Sequence, residues 1–107
     1  MFIAAIRFRI APPKREILLE RLNAMAKRAG ELSGCLECSV FEAIDHDSRT
    51  ILLLERWESR DAMDRHVGTG VCLDVLNRIH PEVDPPEVLL YEVSAERGLD
   101  LIRELRE

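Results

Sequence analysis

The stretch "ILLLERWESRDAMDRH", residues 51–66, decides how the chain is read. Both parities of 51–57 are apolar, with Ile51, Leu53 and Trp57 on one and Leu52 and Leu54 on the other, so neither face of this strand is a plain solvent face. Ser59 then offers a side-chain oxygen to the first turn of a helix over 60–67. On that helix His66 follows Ala62 and Met63 by four and three positions and shares their inward side. Glu55 and Trp57, two apart, project to one face of the strand. A carboxylate, an indole and an imidazole thus stand on two successive elements, either as core or as the wall of a cavity.

Outward from this stretch, residues 2–10 alternate at a strand's period, with Phe2, Ala4, Ile6, Phe8 and Ile10 on one side. Pro12 and Pro13 open a helix whose Leu18, Leu22, Met25 and Ala29 recur at helical spacing until Gly30. Residues 35–44 and 49–57 form a hairpin across Asp45-His46-Asp47-Ser48, which makes His46 a solvated turn residue. Gly68 and Gly70 divide the helix over 60–67 from another, capped by Thr69, that runs to about Ile79 and ends at His80-Pro81. Pro85-Pro86 precede a fourth strand, Glu87 to Ser94, and a terminal helix from Ala95 carries the narrow apolar stripe Leu99, Ile102 and Leu105. The order β-α-β-β-α-α-β-α predicts an α+β domain, a four-stranded antiparallel sheet with its helices on one face. One helical layer cannot cover both apolar parities of 51–57, so a second subunit is expected on the open face, giving a homodimer.

Composition narrows the function. At 107 residues the chain is one small domain, and 47% hydrophobic with 33% charged residues is the balance of a globular fold. A net charge of −5 with interspersed signs argues against a nucleic-acid surface. The longest uninterrupted aliphatic run, Ile51 to Leu54, is too short to cross a bilayer, and the opening MFIAAIRFRI lacks a basic n-region and a cleavage site, so no membrane partner and a cytoplasmic location are expected. Three cysteines, Cys35, Cys38 and Cys72, point to reduced thiols in place of a disulfide framework. Cys35 and Cys38 form a C-x-x-C within a strand, where residues three apart should point to opposite faces, so neither a redox pair nor a metal site is expected.

The run "SGCLECSVFEAIDHDSRTILLLERWESRDAMDRH" resembles the core of the antibiotic biosynthesis monooxygenase (ABM) domain family: a small residue, Gly-Cys-Leu, a strand, a turn, a strand ending Glu-x-Trp, then a helix ending in His. The resemblance covers about residues 1–94 and implies a ferredoxin-like subunit paired sheet to sheet as a dimeric α/β barrel, leaving 95–107 as an extension beyond the family core that could clasp the dimer. It also implies oxidation of a small aromatic, phenol or quinol with O2 and no metal or cofactor. The haem-degrading branch fits poorly: the first strand has no asparagine, His66 takes the slot of that branch's helical tryptophan, and the haem-ligand slot falls near Leu76 with His80 about a turn away.

Cofactor-free oxidation asks the protein for a base, an aromatic wall and an anion stabiliser. His66 is the candidate base and Trp57 the wall, with Arg7 or Arg9 facing a developing phenolate. Glu55 would orient a histidine or pair with an arginine, and Tyr91 would add a hydrogen bond. Each has a structural alternative: Trp57 as core, His66 as a packed histidine, Arg7 and Glu55 as an ion pair. The rival function is a non-catalytic dimeric module that binds a hydrophobic small molecule, as in a stress response, with haem binding a third reading.

Overall fold

A computed structural model describes residues 1–44, 49–80 and 84–107; His46 and the turn around it lie outside the described residues. The elements follow the expected order: β1 (Phe2–Arg9), α1 (Lys14–Ala29), β2 (Cys35–Glu42), β3 (Thr50–Trp57), α2 (Arg60–Val67), α3 (Val71–Ile79), β4 (Glu87–Glu92) and α4 (Leu99–Leu105). The strands form one antiparallel sheet in the order β2-β3-β1-β4, the ferredoxin-like arrangement. Both β4 and α4 are shorter than the apolar pattern suggested, and α4 begins at Leu99, not Ala95.

Register explains which face each side chain takes. Ala4, Ile6 and Phe8 of β1 stand opposite Glu55, Leu53 and Ile51 of β3, and all six are buried on the helix side. There Leu18, Leu22 and Met25 of α1 and Leu76 of α3 complete the larger core. A smaller cluster of Ala4, Trp57, Ala62 and Met63 joins α2 to the end of the sheet. The alternate set, Ile3, Ala5 and Arg7 with Leu52, Leu54 and Arg56, faces away from the helices, joined by Phe41, Leu89 and Tyr91. This open face is apolar along its middle and bounded by ion pairs, Arg56 to Glu37 at 2.7 Å and Arg7 to Glu87 at 3.3 Å. The Arg56 guanidinium, with the Ser39 hydroxyl, holds the Glu37 carboxyl below its ordinary range.

One irregularity overturns the expectation that Cys35 and Cys38 point to opposite faces. A register shift between Cys35 and Glu37 inserts Leu36 as an extra residue, so Cys35 stands opposite Trp57 and Cys38 opposite Glu55. Both thiols therefore lie on the helix side, where strict alternation would have separated them.

The turn into β2 depends on Gly34. Its φ of 86° is in the left-handed region, and a Cβ there would come within 2.7 Å of the Ala62 Cβ. The Gly34 carbonyl accepts from the Glu58 amide at 2.8 Å, which ties this turn to the segment leading into α2. Gly34→Ala is expected to destabilise the fold by about 1–3 kcal/mol in urea unfolding, combining backbone strain with a clash. Gly98→Ala, where nothing lies within 4 Å, should change stability by no more than about 0.5 kcal/mol. Equal effects at the two positions would refute the close approach of α2 to Gly34.

Candidate functional site

The site forms where the end of β3 meets α2. Ser59 caps α2 by accepting the Ala62 amide at 3.1 Å, which sets the helix phase so that Ala62 and Met63 are buried and His66 lies on the same side. The His66 side chain is only 9% exposed. Its ring lies 5.2 Å from the Trp57 ring, centroid to centroid, at an interplanar angle of 32°. Glu55 is buried behind both: the Trp57 Nε1–H donates to its Oε1 at 3.0 Å, and its Oε2 lies 3.4 Å from His66 Nε2. Glu55, Trp57 and His66 are thus brought together as one cluster.

In front of this cluster opens a cavity of about 420 Å³. Leu32, Trp57 and Ala62 give it an apolar wall. His66 and Arg65 of α2 reach it, as do Ser33 and Thr69 from the flanking turns. Thr69 also holds the turn between α2 and α3, its hydroxyl donating to the His66 carbonyl at 2.6 Å and accepting from the Val71 amide at 3.3 Å. The volume falls in the range of small-molecule sites, and its few polar groups against apolar walls suit an aromatic ligand. Among the described residues, no three His, Cys, Asp or Glu side chains are arranged to hold a metal ion.

Arg7 and Tyr91 lie elsewhere. Register sets Arg7 opposite Leu52 and Glu87, and Tyr91 opposite Ile3, all on the open face, so the sheet itself separates them from His66. Arg7 pairs with Glu87 in place of Glu55. His80 ends α3, its amide donating to the Leu76 carbonyl at 2.8 Å, and does not line this cavity. The sequence reading missed Leu32, Ser33, Arg65 and Thr69. Arg65 was open to inference, since it precedes His66 on a short helix; the other three sit in turns whose direction no periodicity reveals.

The sequence profile of the family described as antibiotic biosynthesis monooxygenase matches residues 1–78. The chain belongs to this family. A candidate antibiotic biosynthesis monooxygenase from Deinococcus radiodurans superposes with a TM-score of 0.80 at 22% identity, over 92% of this chain and 98% of that one. Rv0793 from Mycobacterium tuberculosis gives 0.73 at 27% identity over 92% and 100%. PA3566 from Pseudomonas aeruginosa gives 0.72 at 21% over 88% and 94%. No curated protein matches the sequence. At these identities the likeness in structure speaks for the shared fold, and the ABM membership rests on the profile.

The three thiols of this ABM domain share the helix side of the sheet with Glu55. Burial pushes each of them up, with the Glu55 charge adding to it, and the Cys38 thiol reaches about 12. At pH 8 only about one Cys38 in ten thousand would be thiolate, against roughly a quarter for an unperturbed cysteine. Iodoacetamide should therefore alkylate Cys38 at least about a hundredfold more slowly in the native protein than in urea, read by peptide mass spectrometry. Equal rates would show that the seam between β2 and the helices is open.

Proposed function

We propose that this ABM domain is a monooxygenase of a small phenol or quinol, with His66 as its base. The observation that carries the reading is the buried Glu55 carboxylate, placed between the Trp57 indole and His66 beneath an apolar cavity. A carboxylate beside Nε2 favours the tautomer protonated there and leaves Nδ1 as the basic nitrogen. His66 takes the phenolic proton of a substrate lying against Trp57. The electron-rich phenolate then reduces O2, and oxygen bonds to the ring carbon as a hydroperoxide. Loss of water from that adduct leaves the carbonyl of a quinone: a phenol with a free para C–H and O2 become a quinone and H2O, one oxygen atom in each. The substrate supplies the electrons, so the protein's part is to remove a proton, orient the ring and exclude water. Glu55 acts here as a positioning residue.

We also propose that a second copy covers the open face and forms a sheet-to-sheet homodimer. Phe41, Leu89 and Tyr91 are each more than 40% exposed there, beside the half-buried Leu52 and Leu54. A continuous apolar sheet face of this kind calls for a partner. Helix α4 has no buried residue, and its Leu99, Ile102 and Leu105 are free to clasp the second subunit. In this reading Arg7 and Tyr91 serve the interface and not the reaction.

Oxygen uptake by the purified protein with a panel of hydroquinones and anthrone-like phenols tests the reaction. His66→Gln should lower kcat by about a hundredfold or more with Tm nearly unchanged, the scale of a lost general base. Glu55→Gln should lower kcat more than it raises KM, the mark of a misoriented base. Uptake unaffected by either change would remove His66 from the chemistry, and a tight aromatic ligand without uptake would favour the non-catalytic binding module. For assembly, light scattering should give twice the 12.3 kDa chain mass, and Leu54→Asp should give folded monomer. A wild-type monomer at micromolar concentration would refute the dimer.

A further inference from the structure

The cavity beside Trp57 does not end at His66. A second cavity of about 260 Å³ shares Leu32, His66 and Thr69 with it and extends between α1 and α3, past Met25, Ala29 and Val71. Together they form a cleft that runs to both sides of the imidazole, long enough for more than one ring. Its charged lining is of one sign: Arg65 borders the first cavity and Arg28 the second, and no lining residue is a carboxylate. Among the described residues neither arginine has an ion-pair partner. Glu55 lies behind the wall, already engaged by the Trp57 indole and His66.

Each of these arginines stands in the last turn of a helix, Arg28 in α1 and Arg65 in α2, where a cation ordinarily offsets the helix dipole. That offset does not consume them. A helix C-terminus carries roughly half a negative charge, so a full guanidinium charge at each end outweighs the helix charge beside it. Both helices also end at the same cleft, so the two residual charges fall on one ligand-sized space. Guanidinium groups left without a carboxylate partner are suited to take one from a ligand through paired N–H donors.

We propose that the cleft selects an aromatic anion: a ring system packed on Trp57 and His66, with a carboxylate or similar acidic group held by Arg65 and, in longer ligands, a second acidic group within reach of Arg28. This rests on the proposed monooxygenase site and names the class of substrate it takes. The acidic group lies at the mouth, away from Glu55, which orients the ring edge toward His66. Neutral aromatics of the same shape enter the apolar part and lose the charged anchor.

Isothermal titration calorimetry of the full chain with 2-naphthoate and its neutral isostere 2-naphthamide tests the assignment, with the Trp57 indole N–H resonance locating the bound ring. The naphthoate should bind about tenfold more tightly than the amide, the scale of one charge-assisted anchor in a half-open site. Arg65→Gln should bring the two ligands within about twofold, and raised salt should weaken only the naphthoate. Arg28→Gln should affect a naphthalene dicarboxylate more than the monoacid. Equal affinity for acid and amide in the wild-type protein overturns the proposal, as does a preference that survives Arg65→Gln, or absence of binding by either ligand at millimolar concentration. Because this experiment reads charge and not turnover, oxygen uptake dependent on His66 without any preference for the acid would sink the anion assignment alone. A preference for the acid without uptake on any phenol would leave the assignment standing and sink the oxygenase reading.

Discussion

Glu55 is a carboxylate with 1% of its surface exposed, set in a sheet face among Ala4, Ile6, Phe8, Leu53 and Trp57. An ion placed there without partners would cost several kcal/mol. Its neighbours are arranged to prevent that: the Trp57 N–H donates to one oxygen and the His66 imidazole lies against the other. The constraint propagates. To hold His66 at that depth, α2 must sit close enough to the sheet for Ala62 to approach Gly34, and a side chain at residue 34 would keep the helix out. The Ser59 cap, the Gly34 turn and the Thr69 bridge therefore act together on the placement of one imidazole.

Burial, with the same buried charge adding to it, sets the state of the three thiols. The bulge at Leu36 brings Cys35 and Cys38 to the helix side, and Glu55 then acts on both of them and on Cys72. Burial and a neighbouring carboxylate both oppose the thiolate, which is the form that reacts with electrophiles and oxidants. Here burial keeps the thiols protonated, and the Glu55 charge beside His66 adds to it.

Much of this arrangement was legible in the sequence. The order of elements followed from period and punctuation, and Leu18, Leu22, Met25 and Ala29 are buried as their spacing requires. His66 could be placed inward because a helix's phase is set locally, by its cap and its own apolar residues. Arg7 and Tyr91 were not so placed, since alternation divides a strand into two faces without naming them. Only pairing with β3 and β4 shows that the odd positions of β1 look away from the helices. Cys35 and Cys38 defeated the alternation rule itself, because one unpaired residue inverts every parity before it. Leu32, Ser33 and Thr69 lie in turns, where tertiary packing alone fixes direction.

The two faces of the sheet thus divide the labour by chemistry. On the open face, Arg7 and Arg56 are matched by Glu87 and Glu37, so its charges are spent within the chain and its unmet demand is apolar. On the helix side the apolar residues are satisfied in the core, and what is left over is polar: an imidazole backed by a carboxylate, and two guanidinium groups with no acidic partner among the described residues. In the proposed dimer, the apolar surface of the open face is met by the same face of a second copy. In the proposed reading, the cations around the cavity take a small acidic ligand with a ring to bury. The alternation of a β-strand is what allows both demands to be written into eight residues of β1 and eight of β3 without interfering with each other.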